Sequence, residues 1–182
     1  MKDMKTILIH LCIITDTLFS LSGCSDFLDE KPEGNTGTTG NFYKNKEDIE
    51  YALTAAYANL QAGAMYKEYM VLMTDVRSDD LGSFANTGGN AGREYSIKIF
   101  TAQSDNQIFR SVWQKTYETI YRCNNVIYHI DVVKDSKLKL QYEAEARFLR
   151  ALCYFNIVRF WGDAPLILTP LTATEVAECE RN

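Results

Sequence analysis

Two groups of residues in this chain carry side chains suited to chemistry. The first is Cys24, which follows Leu21, Ser22 and Gly23. Small residues before a cysteine let a narrow peptidase cleft close on the backbone. The thiol can then take a diacylglyceryl group, and the freed amine a further acyl chain. Each buried methylene contributes about 0.8 kcal/mol, and stable anchoring takes more than one chain. The second group lies in residues 78–106 and comprises Asp79, Asp80, Phe84, Asn86, Asn90, Arg93 and Tyr95. Flat aromatic faces stack on the apolar faces of pyranose rings, and planar polar groups make paired bonds to vicinal hydroxyls. Phe84 and Tyr95 are the candidate platforms; Asp79, Asp80, Asn86, Asn90 and Arg93 are the candidate polar contacts. Plainer readings stand beside these. Cys24 can end a buried first helix, Asp79 and Asp80 can cap local structure, Phe84 and Tyr95 can pack the segment down, and Arg93 can pair with a carboxylate.

Other chemistries find little support. There are two histidines. His10 falls in the apolar leader, and His129 lies in a helical pattern without a cysteine or carboxylate at metal-ligand spacing. No nucleophile elbow, phosphate loop or dinucleotide fingerprint occurs. Asp79 and Asp80 resemble a hydrolase carboxylate pair only in adjacency, whereas such a pair must flank the scissile bond at a set separation. No covalent chemistry and no cofactor are implied. The net charge of -5 argues against general nucleic-acid binding.

These residues need elements to position them. Of the 182 residues, 46% are hydrophobic and 24% charged, a globular balance for one domain. Lys2 and Lys5 precede a mostly apolar run, so residues 1–23 read as a lipoprotein signal, although His10 and Asp16 interrupt it. Residues 24–45 read as a lipidated acidic tether, reaching roughly 3.3 Å per residue when stretched. Four helical segments follow. The first covers about residues 46–62, capped by Asn45 and stopped by Gly63, with Ile49, Leu53, Ala56 and Leu60 in a stripe. The second covers about 66–77. The third, about 107–132, carries Trp113, Tyr117, Ile120, Asn124 and Ile127 on one face; Asn124 needs a partner if buried.

The fourth, about 138–161, has two apolar stripes: Tyr142, Ala146, Leu149 and Cys153, then Ala144, Phe148, Ala151, Phe155 and Val158. Such a helix is expected to be covered on both sides. Gly162 and Pro165 end it. Trp113 and Trp161 continue helical stripes and read as core, and Arg147 and Arg150 as interface or surface. A short connection near Lys134 makes the last two helices antiparallel. On that register Cys123 faces about Ala146, and Cys153 lies ~10 Å further along the axis, too far for a disulfide. Both read as buried thiols. Between the second and third helices, residues 78–106 read as a long irregular loop with a short strand at residues 95–100. The fold class is all-α: paired helices in a tetratricopeptide-like repeat scaffold, though without a clean repeat signature.

Several segments carry a family resemblance: "CSDFLDEKPEG", "NFYKNKEDIEYALTAAYANL", "RSDDL", "VWQKTYETIYRCNNVI" and "YEAEARFLRALCYFNIVRFWGDAPLI". The most specific is Ala144-Glu145-Ala146-Arg147-Phe148-Leu149-Arg150-Ala151 with Trp161-Gly162-Asp163 and Pro165-Leu166. Together they resemble the N-terminal part of the SusD/RagB nutrient-binding outer-membrane lipoproteins. The resemblance implies a helical scaffold that lies as a lid on a TonB-dependent, SusC-like transporter. It also implies capture of an oligosaccharide or other nutrient at the cell surface. Acidic residues after the lipidated cysteine help direct family members to the outer face, and Ser25-Asp26 with Asp29-Glu30 matches that partly. Family members are much longer, and the resembling run ends near Pro170, so the sequence reads as a truncated member. A rival reading is a helical module that binds only a protein partner, with no ligand of its own.

Overall fold

The computed structural model describes residues 42–80, 89–172 and 175, and every regular element among them is helical. Helix α1 spans Lys46–Leu60. The Asn45 side chain accepts from the Asp48 amide at 2.9 Å, and the Asp48 carboxylate accepts from the Asn45 amide at 3.3 Å. This reciprocal capping box satisfies two amides that the first turn leaves without helical partners. Phe42 and Tyr43, at the end of the stretch expected to be tether, pack against the core. The Tyr43 ring stacks on His129 with centroids 4.1 Å apart.

After α1 the chain departs from expectation. Gly63 does not stop the helix, which ends at Leu60; it opens a π-turn, Gly63–Lys67. Helix α2, Tyr69–Thr74, and a 3₁₀ turn, Asp75–Arg77, follow. The expected helix over 66–77 is thus interrupted at Glu68, whose backbone is non-helical, and the preceding turn also kinks at Met65. The Met65 side chain is fully buried, with Thr116 Oγ1 3.5 Å from its sulfur. Tertiary burial of that side chain overrides local propensity. Helix α3, Gly89–Lys98, occupies the middle of the supposed irregular loop. The strand expected at residues 95–100 is not formed. Its alternation is short enough to fit a helix end equally well, and Ile97 is buried against Met65, Met70, Met73, Ile108 and Val112.

Helix α4, Gln107–Tyr128, runs into a 3₁₀ turn, Ile130–Val132. Helix α5, Ser136–Trp161, begins under an Asp135 cap that accepts from the amides of Lys137 and Leu138. The pairs Trp113–Trp161, Tyr117–Tyr154 and Asn124–Arg150 show α4 and α5 packed antiparallel. On these pairs Cys123 lies level with about residues 148–151 of α5, and it shares a core cluster with Ala146 and Leu149. The chain reverses at residues 133–135, between the 3₁₀ turn and the Asp135 cap, at the expected turn near Lys134, and Lys139 pairs with Asp131 beside it. The axial offset to Cys153 is then two to five residues, roughly 3–8 Å, shorter than the ~10 Å expected. Both are nevertheless buried and free. Burial pushes the Cys123 thiol up to about 11 and the Cys153 thiol up to about 12.

Helix α1 lies antiparallel along α4. Arg122 donates to the Ala55 carbonyl at 3.1 Å, and Glu118 accepts from Asn59, Lys115 and Arg122. Ile49, Leu53 and Ala56 of α1 meet Cys123 and Val126 of α4 and Ala146 and Leu149 of α5 in one core cluster. The second stripe of α5 behaves otherwise. Phe148, Phe155 and Val158 are 65%, 59% and 60% exposed, so this helix is covered on one side only by the described residues.

Past Gly162, whose φ of 80° suits a residue without Cβ, residues 163–172 fold back over α4 and α5. With no sheet or helix to bond to, their carbonyls are met by side chains. Tyr117 donates to Pro165, Tyr154 donates to Ile167 at 3.0 Å and accepts from its amide at 2.6 Å, and Arg150 donates to Leu168 at 3.0 Å. Asn124, 1% exposed, donates to Ile167 and Thr169 and accepts from Arg150 at 2.7 Å. Burial and the neighbouring Tyr154 push the Tyr117 hydroxyl up to about 12, so it stays a neutral donor.

Asn124→Ala leaves two strap carbonyls and a guanidinium without their partner, and should cost about 2–3 kcal/mol in urea unfolding. An unchanged midpoint would show that the strap contributes nothing to stability. Burial alone would raise the Glu118 carboxyl, but the hydrogen bonds from Lys115, Arg122 and Asn59 and the Lys115 charge hold it below the ordinary 4.5. Its contribution is complete above that pH and is lost as pH falls through the lower folded value. The wild type should therefore lose more stability than Glu118→Gln between about pH 6 and pH 3.

Candidate ligand-binding clefts

Asn106 organises the most developed surface recess. Its Oδ1 caps α4 by accepting from the Ile108 amide at 2.9 Å. Its Nδ2 donates to the Arg93 carbonyl and to Ser96 Oγ, both at 3.2 Å. Ser96 Oγ in turn donates to the Arg93 carbonyl at 2.7 Å. One buried side chain thus satisfies the start of α4 and ties it to α3.

Two clefts flank this staple and share Asp105. The polar one, about 480 Å³, is lined by Arg93, Ser96, Thr101, Gln103, Asp105 and Gln107 among others. The aromatic one, about 440 Å³, is lined by Ser104, Asp105, Phe109, Arg110, Trp113 and Trp161. Phe109 and Trp113 are one turn apart on α4, so their rings share a face. Trp113 meets Trp161 edge to face at 5.1 Å, and Arg77 stands 5.8 Å from the Phe109 centroid. The tryptophans expected in the core are half-buried, each closing the α4–α5 seam with one part of its ring and lining the cleft with another.

Phe100 precedes Thr101 of the polar cleft in the chain. Its φ of 57° is left-handed, and no other described non-glycine residue has such a value. Phe100 N donates to the Ile97 carbonyl and Thr101 N to the Ser96 carbonyl, the two bonds of a Schellman ending for α3. Glycine is the usual residue at this position. Phenylalanine there carries a steric cost of about 1 kcal/mol, and the residue is 73% exposed. Strain together with exposure of a large ring marks a residue whose value lies outside the free protein's stability.

The sequence-derived candidates divide. Arg93 lines the polar cleft. Tyr95 is half-buried two positions further along α3, and at that spacing helical side chains point apart. Asp79 and Asp80 are exposed after the 3₁₀ turn. Asn90 belongs to α3. Phe84, Asn86 and Cys24 lie outside the described residues. Sequence reasoning missed Phe100, Asp105, Phe109 and Arg110. The available signal was the Asn106 cap followed by aromatics at 109 and 113, which places an aromatic edge at a helix start.

A family model described as starch-binding, associating with the outer membrane, matches residues 26–182. Two SusD-like proteins of Formosa agariphila are similar. P2 is 31% identical over 153 residues, covering 82% of this chain and 29% of its own length. P25 is 26% identical over 177 residues, covering 92% and 33%. A SusD-like protein of Bacteroides ovatus is 30% identical over 162 residues, covering 86% and 28%. The chain belongs to the SusD-like family and spans about a third of the length of these curated relatives. No solved structure matches it.

Phe100→Gly removes the left-handed strain and should raise stability by about 0.5–1 kcal/mol in urea unfolding. A loss of stability would show that the ring is held by packing.

Proposed function

We propose that this chain binds an oligosaccharide or a related nutrient at the outer membrane, as part of a lipid-anchored protein that hands its ligand to a TonB-dependent, SusC-like transporter. The observation that carries the reading is the pair of adjoining clefts on a chain of the SusD-like family, whose model is described as starch-binding. Phe109, Trp113 and Trp161 offer ring faces and edges for the apolar side of a sugar. Asp105, Arg93, Gln103 and Gln107 offer donors and acceptors for its hydroxyls. Asp105 belongs to both clefts, so one sugar unit on the rings and the next in the polar recess can share it. Phe100, next in the chain to Thr101 of the polar cleft, offers a further exposed ring.

Binding by stacking and hydrogen bonds requires no bond to break, in keeping with a carrier rather than an enzyme. Anchoring rests on Cys24 and its preceding small residues, and on the family's association with the outer membrane. Asp79, Asp80, Phe84, Asn86, Asn90 and Tyr95 belong to this reading as outer contacts of a longer ligand, reached from the connection between α2 and α4.

Calorimetric titration with starch-derived and other oligosaccharides should give saturable heat with at least one of them. Phe109→Ala should weaken that binding by about five- to tenfold, on the order of 1–1.4 kcal/mol. Phe100→Gly should also weaken it while the fold gains stability. Absence of heat with every sugar tested would sink the binding reading.

A further inference from the structure

The outward side of α4 is not an ordinary solvated surface. Arg110, Gln114, Tyr117, Tyr121 and Tyr128 fall within about 60° of one another around this helix, on a line about 27 Å long. Tyr117 is half-buried and the other four are exposed. The outward line of a surface helix is ordinarily charged. This one carries a single charge, at Arg110, and three tyrosines. It also holds no aliphatic residue, unlike the exposed stripe of α5. Tyrosine joins a flat apolar ring to a hydroxyl, and it orders at small entropic cost because few of its bonds rotate.

Neighbours hold these rings in place. Tyr128, 67% exposed, meets His129 edge to face with centroids 5.0 Å apart, and His129 is itself stacked on Tyr43. Tyr121, 45% exposed, joins Tyr117, Ile167 and Leu171 around an apolar recess of about 170 Å³. Tyr117 is fixed by its bond to the Pro165 carbonyl. The line is also continuous with the clefts. Its first residue, Arg110, lines the aromatic cleft with Phe109 and Trp113. The Trp113 ring stands 4.9 Å from that of Tyr117, centroid to centroid. Aromatic side chains thus follow one another from the cleft at the start of α4 to Tyr128 at its end.

We infer, resting on the sugar-binding reading of the clefts, that α4 is a rail for a long glycan. A few sugar units sit in the clefts, and the units that follow run along the helix over Tyr121 and Tyr128. Those two rings stand about 10.5 Å apart along the axis. Each meets the apolar face of a sugar, while the tyrosine hydroxyls, Gln114 and Arg110 bond to its hydroxyl groups. The rail selects for chain length, and the clefts select for sugar type. The ligand is therefore a polysaccharide or a long oligosaccharide rather than a mono- or disaccharide.

Calorimetric titration of the chain with trimers and heptamers of malto-, xylo- and galacturono-oligosaccharides tests this. In a series that gives heat, the heptamer should bind about tenfold more tightly than the trimer. Tyr121→Ala with Tyr128→Ala should bring the heptamer down to the trimer's affinity. The trimer's own affinity, the circular dichroism and the urea midpoint should stay unchanged. Tyr121→Phe with Tyr128→Phe should keep most of the gain. Tyr128→Ala alone, at the more open position, should cost the heptamer about threefold, and decides the matter if the double variant does not fold. Phe109→Ala should weaken both lengths alike. Equal affinity for the two lengths, or a heptamer gain that survives the alanine variants, would overturn the rail and leave the cleft reading standing. A dimer of the chain that the double alanine variant dissolves would overturn it too, assigning the line to a second copy. Absence of heat from all the sugars would overturn both readings together.

Discussion

Asn124 is the polar residue on which the arrangement of this bundle turns. It sits inside an apolar interface, where an amide without partners is costly. It is paid for by three contacts that come from different parts of the chain: the Arg150 guanidinium of α5 and two carbonyls of the strap. Those contacts exist together only in one register of α4 against α5 and one path of residues 163–172. Apolar side chains slide past one another at small cost, whereas a buried amide with a guanidinium and two carbonyls does not. Tyr117 and Tyr154 add hydroxyl bonds along the same strap, and the register they share brings Trp113 to Trp161.

A second buried amide does comparable work at the other end of α4. Asn106 caps that helix and bonds to the last turns of α3. The polar cleft lies on one side of this staple and the aromatic cleft on the other, so their spacing is set by a rigid helix start. A binding surface built on helix ends keeps its groups in place before the ligand arrives, which lowers the ordering cost of association. Phe100 is the exception in this economy of local preference, a bulky residue where glycine fits best.

The open stripe on α5 and the clefts lie in different parts of the bundle and make different demands. The clefts present mixed polar and aromatic groups suited to a hydrated solute. The stripe is apolar, regular and long.

Much of this was legible in the residues. The 3.6-residue periodicity of α1, α4 and α5, the Asn45 cap and the Gly162 stop are local properties, decided within a turn of each residue, and they gave the all-α class. The need of Asn124 for a partner was also legible, because burial follows from the stripe it interrupts. Which partners it finds was not, since Arg150 and the strap carbonyls reach it through space. Tertiary packing alone turned residues 95–100 into a helix end by drawing Ile97 into the core, and drew Met65 inward at the kinked turn before the second helix. It alone joined Asp105, Phe109, Trp113 and Trp161 in one recess and left Phe148 and Phe155 uncovered. Helical pattern depends on neighbours three and four residues away, whereas a cleft depends on distances between segments that no spacing along the chain encodes.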